Sequence, residues 1–138
     1  MSTINMQTMR YINLLDQIAR VKTTRCFSYN NSIYFAVPRA FVSQAIGRNA
    51  SNIQMLQDKI GKRIKIIIAS SGVEDIERFV RSIIEPAQFK SIEVKEKELI
   101  ITAGSMQNKA NLLGRNKKRF EELAEVIKDD FSLELKVM

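Results

Sequence analysis

The chain has 138 residues, 45% hydrophobic and 27% charged, a globular composition long enough for one domain or two small ones. It has no histidine and a single cysteine, Cys26, which excludes an intramolecular disulfide, the common zinc arrangements and histidine-based triads. A net charge of +7 and a pI near 9.7 point to a polyanionic partner, and with no bilayer-length apolar run and no signal-like start in MSTINMQTMR the expectation is a cytoplasmic protein without a membrane partner.

In chain order, the apolar positions Ile4, Leu14, Leu15, Ile18 and Val21 predict a helix over roughly 4–20. Strands follow near 23–29 and 32–37, with Asn30-Asn31 as the tight turn, and Pro38 ends the second strand. A short helix over about 39–46 leads to Gly47–Ala50, then a helix to about Ile60. Gly61 falls where a left-handed helix cap belongs, and a strand over 63–69 closes the unit. Ser70-Ser71-Gly72 marks the boundary between a first domain, 1–72, and a second, 73–138. The second repeats the order: helix 74–84 broken by Pro86, strands 88–95 and 98–103, helix 105–113, Gly114–Lys117, helix to about 128, strand 131–137. Residues 1–72 hold ten Lys/Arg against two acids, and residues 73–138 hold twelve against thirteen, so a polyanion should lean on the first half.

The halves are related by a shift of 67 residues. Ile46-Gly47-Arg48-Asn49 falls on Leu113-Gly114-Arg115-Asn116, and Ile53, Leu56 and Ile60 fall on Phe120, Leu123 and Ile127. Ile64, Ile66 and Ile68 then meet Phe131, Leu133 and Leu135, so helical spacing gives way to alternation at matching points. A glycine between two helices lets the backbone reach unusual dihedrals and lets a ligand come close. Asn tolerates left-handed geometry and is a favoured helix N-cap, and the next helix start presents N–H groups and a positive dipole end. Arg48 or Arg115 adds a cation able to pair bidentately with phosphate. One such loop reads as a plain helical turn; two in register, in a basic chain, favour a phosphodiester ligand.

The stretch Ile46-Gly47-Arg48-Asn49-Ala50-Ser51-Asn52-Ile53, followed by Leu56, Gly61 and the strand Arg63–Ile68, resembles a K-homology (KH) domain with its GxxG loop. The helix and strand ahead of the core resemble the type II, prokaryotic arrangement, and two units in tandem resemble the archaeal NusA-like proteins. The resemblance implies an α+β fold of two tandem type II KH domains, each a three-stranded sheet covered by three helices. It further implies a non-enzymatic role, single-stranded RNA binding connected with transcription elongation or termination, with RNA polymerase or other transcription factors as further partners. No cofactor and a monomeric state are expected.

Carried over, the RNA contacts are Gly47, Arg48, Asn49, Ala50, Ser51 and Asn52, with Arg63 and Lys65 on the following strand. In the second unit they are Gly114, Arg115, Asn116, Lys117, Lys118 and Arg119. Ile46, Ile53, Ile67, Leu113 and Phe120 are groove candidates, although all but Ile67 fit a buried helical stripe better; Lys65 and Ile67 should face away from the core. The loops depart from the family pattern: Ala50 and Lys117 stand where it has a second glycine. Two other roles fit the same domains: ribosome assembly or rRNA maturation, and a degenerate KH scaffold for protein–protein interaction.

Overall fold

The structure is a computed structural model that describes residues 5–138; Ile4, placed at the start of the first helix by its spacing, lies outside the described residues. It divides into two compact units, residues 5–69 and 70–138.

In the first unit, α1 (Met6–Ala19) starts at Asn5, whose side-chain oxygen accepts the Thr8 N–H at 2.7 Å. The strand β1 (Arg25–Tyr29) pairs antiparallel with β2 (Ser32–Val37). Their turn places both Asn30 (φ 50°) and Asn31 (φ 62°) in the left-handed region, the requirement of a tight hairpin that Asn meets at low cost. A short 3₁₀ turn (Arg39–Phe41) and α2 (Val42–Ile46) follow, then the glycine loop and α3 (Ser51–Ile60). Gly61, at φ 78° and ψ 19°, caps α3 through its N–H to the Gln57 carbonyl. The chain returns as β3 (Arg63–Ile68), parallel to β2, giving a mixed sheet in the order β1-β2-β3.

The central strand SIYFAV is buried at every position. Ile33, Phe35 and Val37 enter a core with Tyr11, Leu15, Ala45, Leu56 and Ile64. Tyr34 points to the other face, stacked on Phe27 at 5.2 Å and edge-on to Tyr29 at 6.0 Å. Burial on both faces explains why this strand shows no alternation.

The second unit repeats the order. A 3₁₀ turn (Val73–Asp75) leads into α4 (Ile76–Ile84), whose Phe79 meets Phe131 edge-on at 5.8 Å. Strands β4 (Ser91–Lys95) and β5 (Glu98–Thr102) pair antiparallel, α5 (Met106–Leu113) and α6 (Lys118–Phe131) follow, and β6 (Glu134–Val137) lies parallel to β5. Its sheet order is β4-β5-β6, so each unit is a three-stranded mixed sheet packed with helices. Leu99, Ile101, Leu112, Leu123 and Ile127 are fully buried, each worth roughly 1.5–3 kcal/mol of apolar transfer.

The repeat breaks at one point. Phe131 was expected to open the last strand; instead it is the final residue of α6, which has 14 residues against 10 in α3. Lys128 occupies the place that Gly61 holds in the first unit, so no glycine stops the helix there. It runs about one turn further, to Ser132 at φ 57° and ψ 36°. The strand therefore starts at Glu134, and Leu135, not Phe131, takes the place of Ile64, pairing with Leu99 as Ile64 pairs with Ile33.

Candidate nucleic-acid interface

The two Gly-Arg-Asn loops share one backbone path. Gly47 adopts φ 81° and ψ 168°, and Gly114 φ 72° and ψ −179°, a region essentially closed to residues with a Cβ. The next residue begins a 3₁₀ turn, and then come two successive left-handed residues. These are Asn49 (55°, 35°) and Ala50 (59°, 28°) in one loop, and Asn116 (56°, 28°) and Lys117 (59°, 23°) in the other. The position filled by Ala50 and Lys117 is thus one where glycine would sit without strain. Holding a non-glycine residue there costs about 1–2 kcal/mol.

Asn49 and Asn116 do not cap the following helices. The N-cap positions are Ala50 and Lys117, and neither makes a side-chain cap bond. A side-chain cap bond is typically made from extended backbone, and the chain at both asparagines, as at Ala50 and Lys117, is left-handed. The 3₁₀ turn takes over part of that task. Ala50 N–H donates to the Gly47 carbonyl at 3.1 Å, Lys117 N–H to that of Gly114 at 3.2 Å, and Ser51 and Lys118 donate to Arg48 and Arg115.

Arg48, Asn49, Ala50 and Ser51 are exposed, as are Arg115, Asn116, Lys117 and Lys118. Asn52 and Arg119 are half-buried and turn back across the loop. Asn52 Nδ2 donates to the Gln44 carbonyl at 2.9 Å, and Arg119 Nη1 to the Asn111 carbonyl at 3.3 Å. Gln44 in turn donates from Nε2 to the carbonyls of Ala19 (3.0 Å) and Arg20 (3.1 Å), tying the loop to the end of α1. Gln44 and Asn111 were missed in the sequence because the paired positions carry different residue types in the two halves; only their equal offset from the glycine marks them.

The strand candidates are not gathered at the loop. Arg63 is exposed at the start of β3, and the ten residues of α3, about 15 Å along the axis, separate it from Ala50. Lys65 is half-buried, with Nζ 5.5 Å from the centre of the Tyr34 ring. Ile67 faces away from the helical core as expected but is only 7% exposed, so it offers no open groove wall. Ile46, Ile53, Leu113 and Phe120 are half-buried, and Ile53 packs against the core of its unit.

Elsewhere, burial pushes the Cys26 thiol up to about 12, keeping it protonated on β1 and unsuited to act as a nucleophile. The hydrogen bond from Arg78 holds the Asp75 carboxyl down near 2. Among the described residues no helix is long and apolar enough to cross a membrane, and no group of three or more Cys, Asp and Glu is placed to hold a metal ion.

Comparison with known proteins gives a consistent picture. No family model matches the chain. It is 31% identical over 84 residues to a probable transcription termination protein NusA of Methanocaldococcus jannaschii, covering 61% of this chain and 44% of the relative. The protein of the same name from Methanococcus vannielii is 27% identical over 93 residues, covering 67% and 52%. That of Thermoplasma acidophilum is 30% identical over 81 residues, covering 59% and 54%. The chain therefore spans about half the length of the curated relatives it matches. The crystal structure of APE1850 superposes with a TM-score of 0.70 at 27% identity, over 98% of this chain and 100% of that one. In sequence the chain is homologous to archaeal NusA proteins over about 60% of its length, and in fold its two halves are KH-type domains.

Proposed function

We propose that the chain binds single-stranded RNA through its two glycine loops and acts with the transcription machinery, as the name of its relatives suggests. The observation that supports this most is the repeated loop path. Two glycine-dependent turns, each with an exposed arginine and a following helix start, occur at the same place in two KH-type units. KH domains clamp about four backbone nucleotides in this way. Some N–H groups at each helix start are already bonded to the loop itself, so cations supply much of the attraction. Arg48 offers one in the first unit; Arg115, Lys117 and Lys118 offer three in the second. The first unit leads, because its surplus of base over acid raises the RNA concentration around its loop.

The test is binding of a labelled single-stranded RNA of mixed sequence, with duplex DNA as control. The variants are Arg48→Asp/Asn49→Asp and Arg115→Asp/Asn116→Asp, at positions whose side chains reach solvent and whose backbone accepts Asp. The first pair should lower affinity by tenfold or more, the loss of a charge-assisted phosphate contact with repulsion added, and the second by less. With about five phosphates held, the logarithmic salt slope of the wild type should be near −3.5. Unchanged binding in both variants would leave the loops as turns and favour the protein-interaction role.

A further inference from the structure

We infer that Asn52 and Arg119 are positioning residues that shape the loops, and that Gly47 and Gly114 are glycine partly to let these side chains pass. The inference rests on the RNA-binding reading for its consequence but not for its geometry. In an uninterrupted α-helix, the carbonyl three residues before the glycine would be taken by the backbone N–H just after it. In α2 and α5 those carbonyls belong to Gln44 and Asn111. Gly47 and Gly114 leave the helix with ψ near 180° instead, which sends the following N–H away from the helix end. The vacated carbonyl is met by a side chain from the next helix, Asn52 Nδ2 at 2.9 Å and Arg119 Nη1 at 3.3 Å.

The route of that side chain runs over the glycine. A Cβ on Gly47 would lie 2.8 Å from the backbone nitrogen, Cγ and Nδ2 of Asn52. A Cβ on Gly114 would lie 2.6 Å from Cγ, 2.9 Å from Cβ and 3.0 Å from Cδ of Arg119. Chemically different side chains at the same offset make the same bond to the same helix position. The tether spans the two helices and fixes the angle at which the exposed arginine and asparagine of the loop stand. Its tips differ in charge, a neutral amide in Asn52 and a guanidinium in Arg119, but both are turned to the carbonyl.

The repeat supplies its own conservative variant, since arginine already serves as the tether in one unit. Amide hydrogen exchange across Arg48–Ser51, measured without RNA, should speed up in Asn52→Ala and return to wild-type rates in Asn52→Arg. Affinity for the labelled RNA should fall about fivefold in the first, the weight of one net hydrogen bond, and recover in the second at an unchanged salt slope. If Asn52→Ala does not fold, Arg119→Ala and Arg119→Asn give the same comparison across Arg115–Lys118. Loop exchange at wild-type rates in the alanine variants would overturn the inference. So would recovery accompanied by a salt slope steeper by about 0.7, because the new arginine would then be gripping a phosphate instead of restoring the loop. A wild type that binds no RNA would sink the functional reading, while the exchange rates would still decide the tether.

Discussion

The two loops follow the same backbone path with different chemistry at the tip. In the first, the two left-handed residues are Asn49 and Ala50 and the tether is the neutral Asn52; in the second they are Asn116 and Lys117 and the tether is Arg119. Their surroundings reverse the bias, because the strongly basic half carries the less basic loop. Loop shape is therefore set by the glycine and the tether, while charge is free to vary at the fourth position. On the proposed RNA-binding reading, one unit would attract RNA through the field of its whole domain, the other through a cluster confined to its loop.

The comparison breaks most visibly at the glycines. Gly47→Ala and Gly114→Ala should each cost about 2–3 kcal/mol from the disallowed backbone region alone, with the contact against the tether added. Thermal unfolding would show whether the losses exceed that range, since an added Cβ meets the backbone nitrogen of Asn52 at Gly47 and the Cβ and Cγ of Arg119, both close to its helix backbone, at Gly114. Losses confined to that range would mean that the tethers play no part in selecting glycine.

The fourth position should respond in the opposite direction. Ala50→Gly and Lys117→Gly relieve left-handed strain, offset by the extra freedom glycine brings to the unfolded chain, for a net gain of up to about 1 kcal/mol each. The two should part company on RNA. Ala50→Gly keeps or improves affinity, whereas Lys117→Gly loses a cation and flattens the salt slope by about 0.7. A slope unmoved by Lys117→Gly would show that the second loop is not a charge-based clamp.

The smallest effect lies in the acid range. Asp75 is held near 2 from an ordinary value near 3.8 by Arg78, so its stabilisation is complete above pH 4 and disappears as pH falls through 2. Unfolding of wild type and Arg78→Met between pH 5 and pH 2 should converge toward the acid end. Parallel curves would show that the pair adds no pH-dependent stability to the second unit.

Element type and order were legible in the sequence because the apolar period changes with the secondary structure and glycine marks a helix end. Ile53, Leu56 and Ile60 read as one helix, and Gly61 as its cap, from spacing alone. The same reading failed at Phe131, since Ser132 stops α6 in a left-handed conformation that serine seldom adopts and composition does not announce. The loops were visible as repeated letters, with the consecutive left-handed residues hidden, because Ala50 and Lys117 carry no preference for that region.

Local chemistry, then, was decided by the sequence: a basic first half, paired Gly-Arg-Asn turns, and exposed Arg48, Asn49, Arg115 and Asn116 with them. Only the tertiary structure decided that Asn52 and Arg119 turn inward to a carbonyl, that Ile67 is buried although it faces away from the core, and that Arg63 stands a helix length from the loop. Periodicity records which way a side chain leaves its own element. What it meets there depends on where other elements bring their backbone, and that is written across residues far apart in the chain.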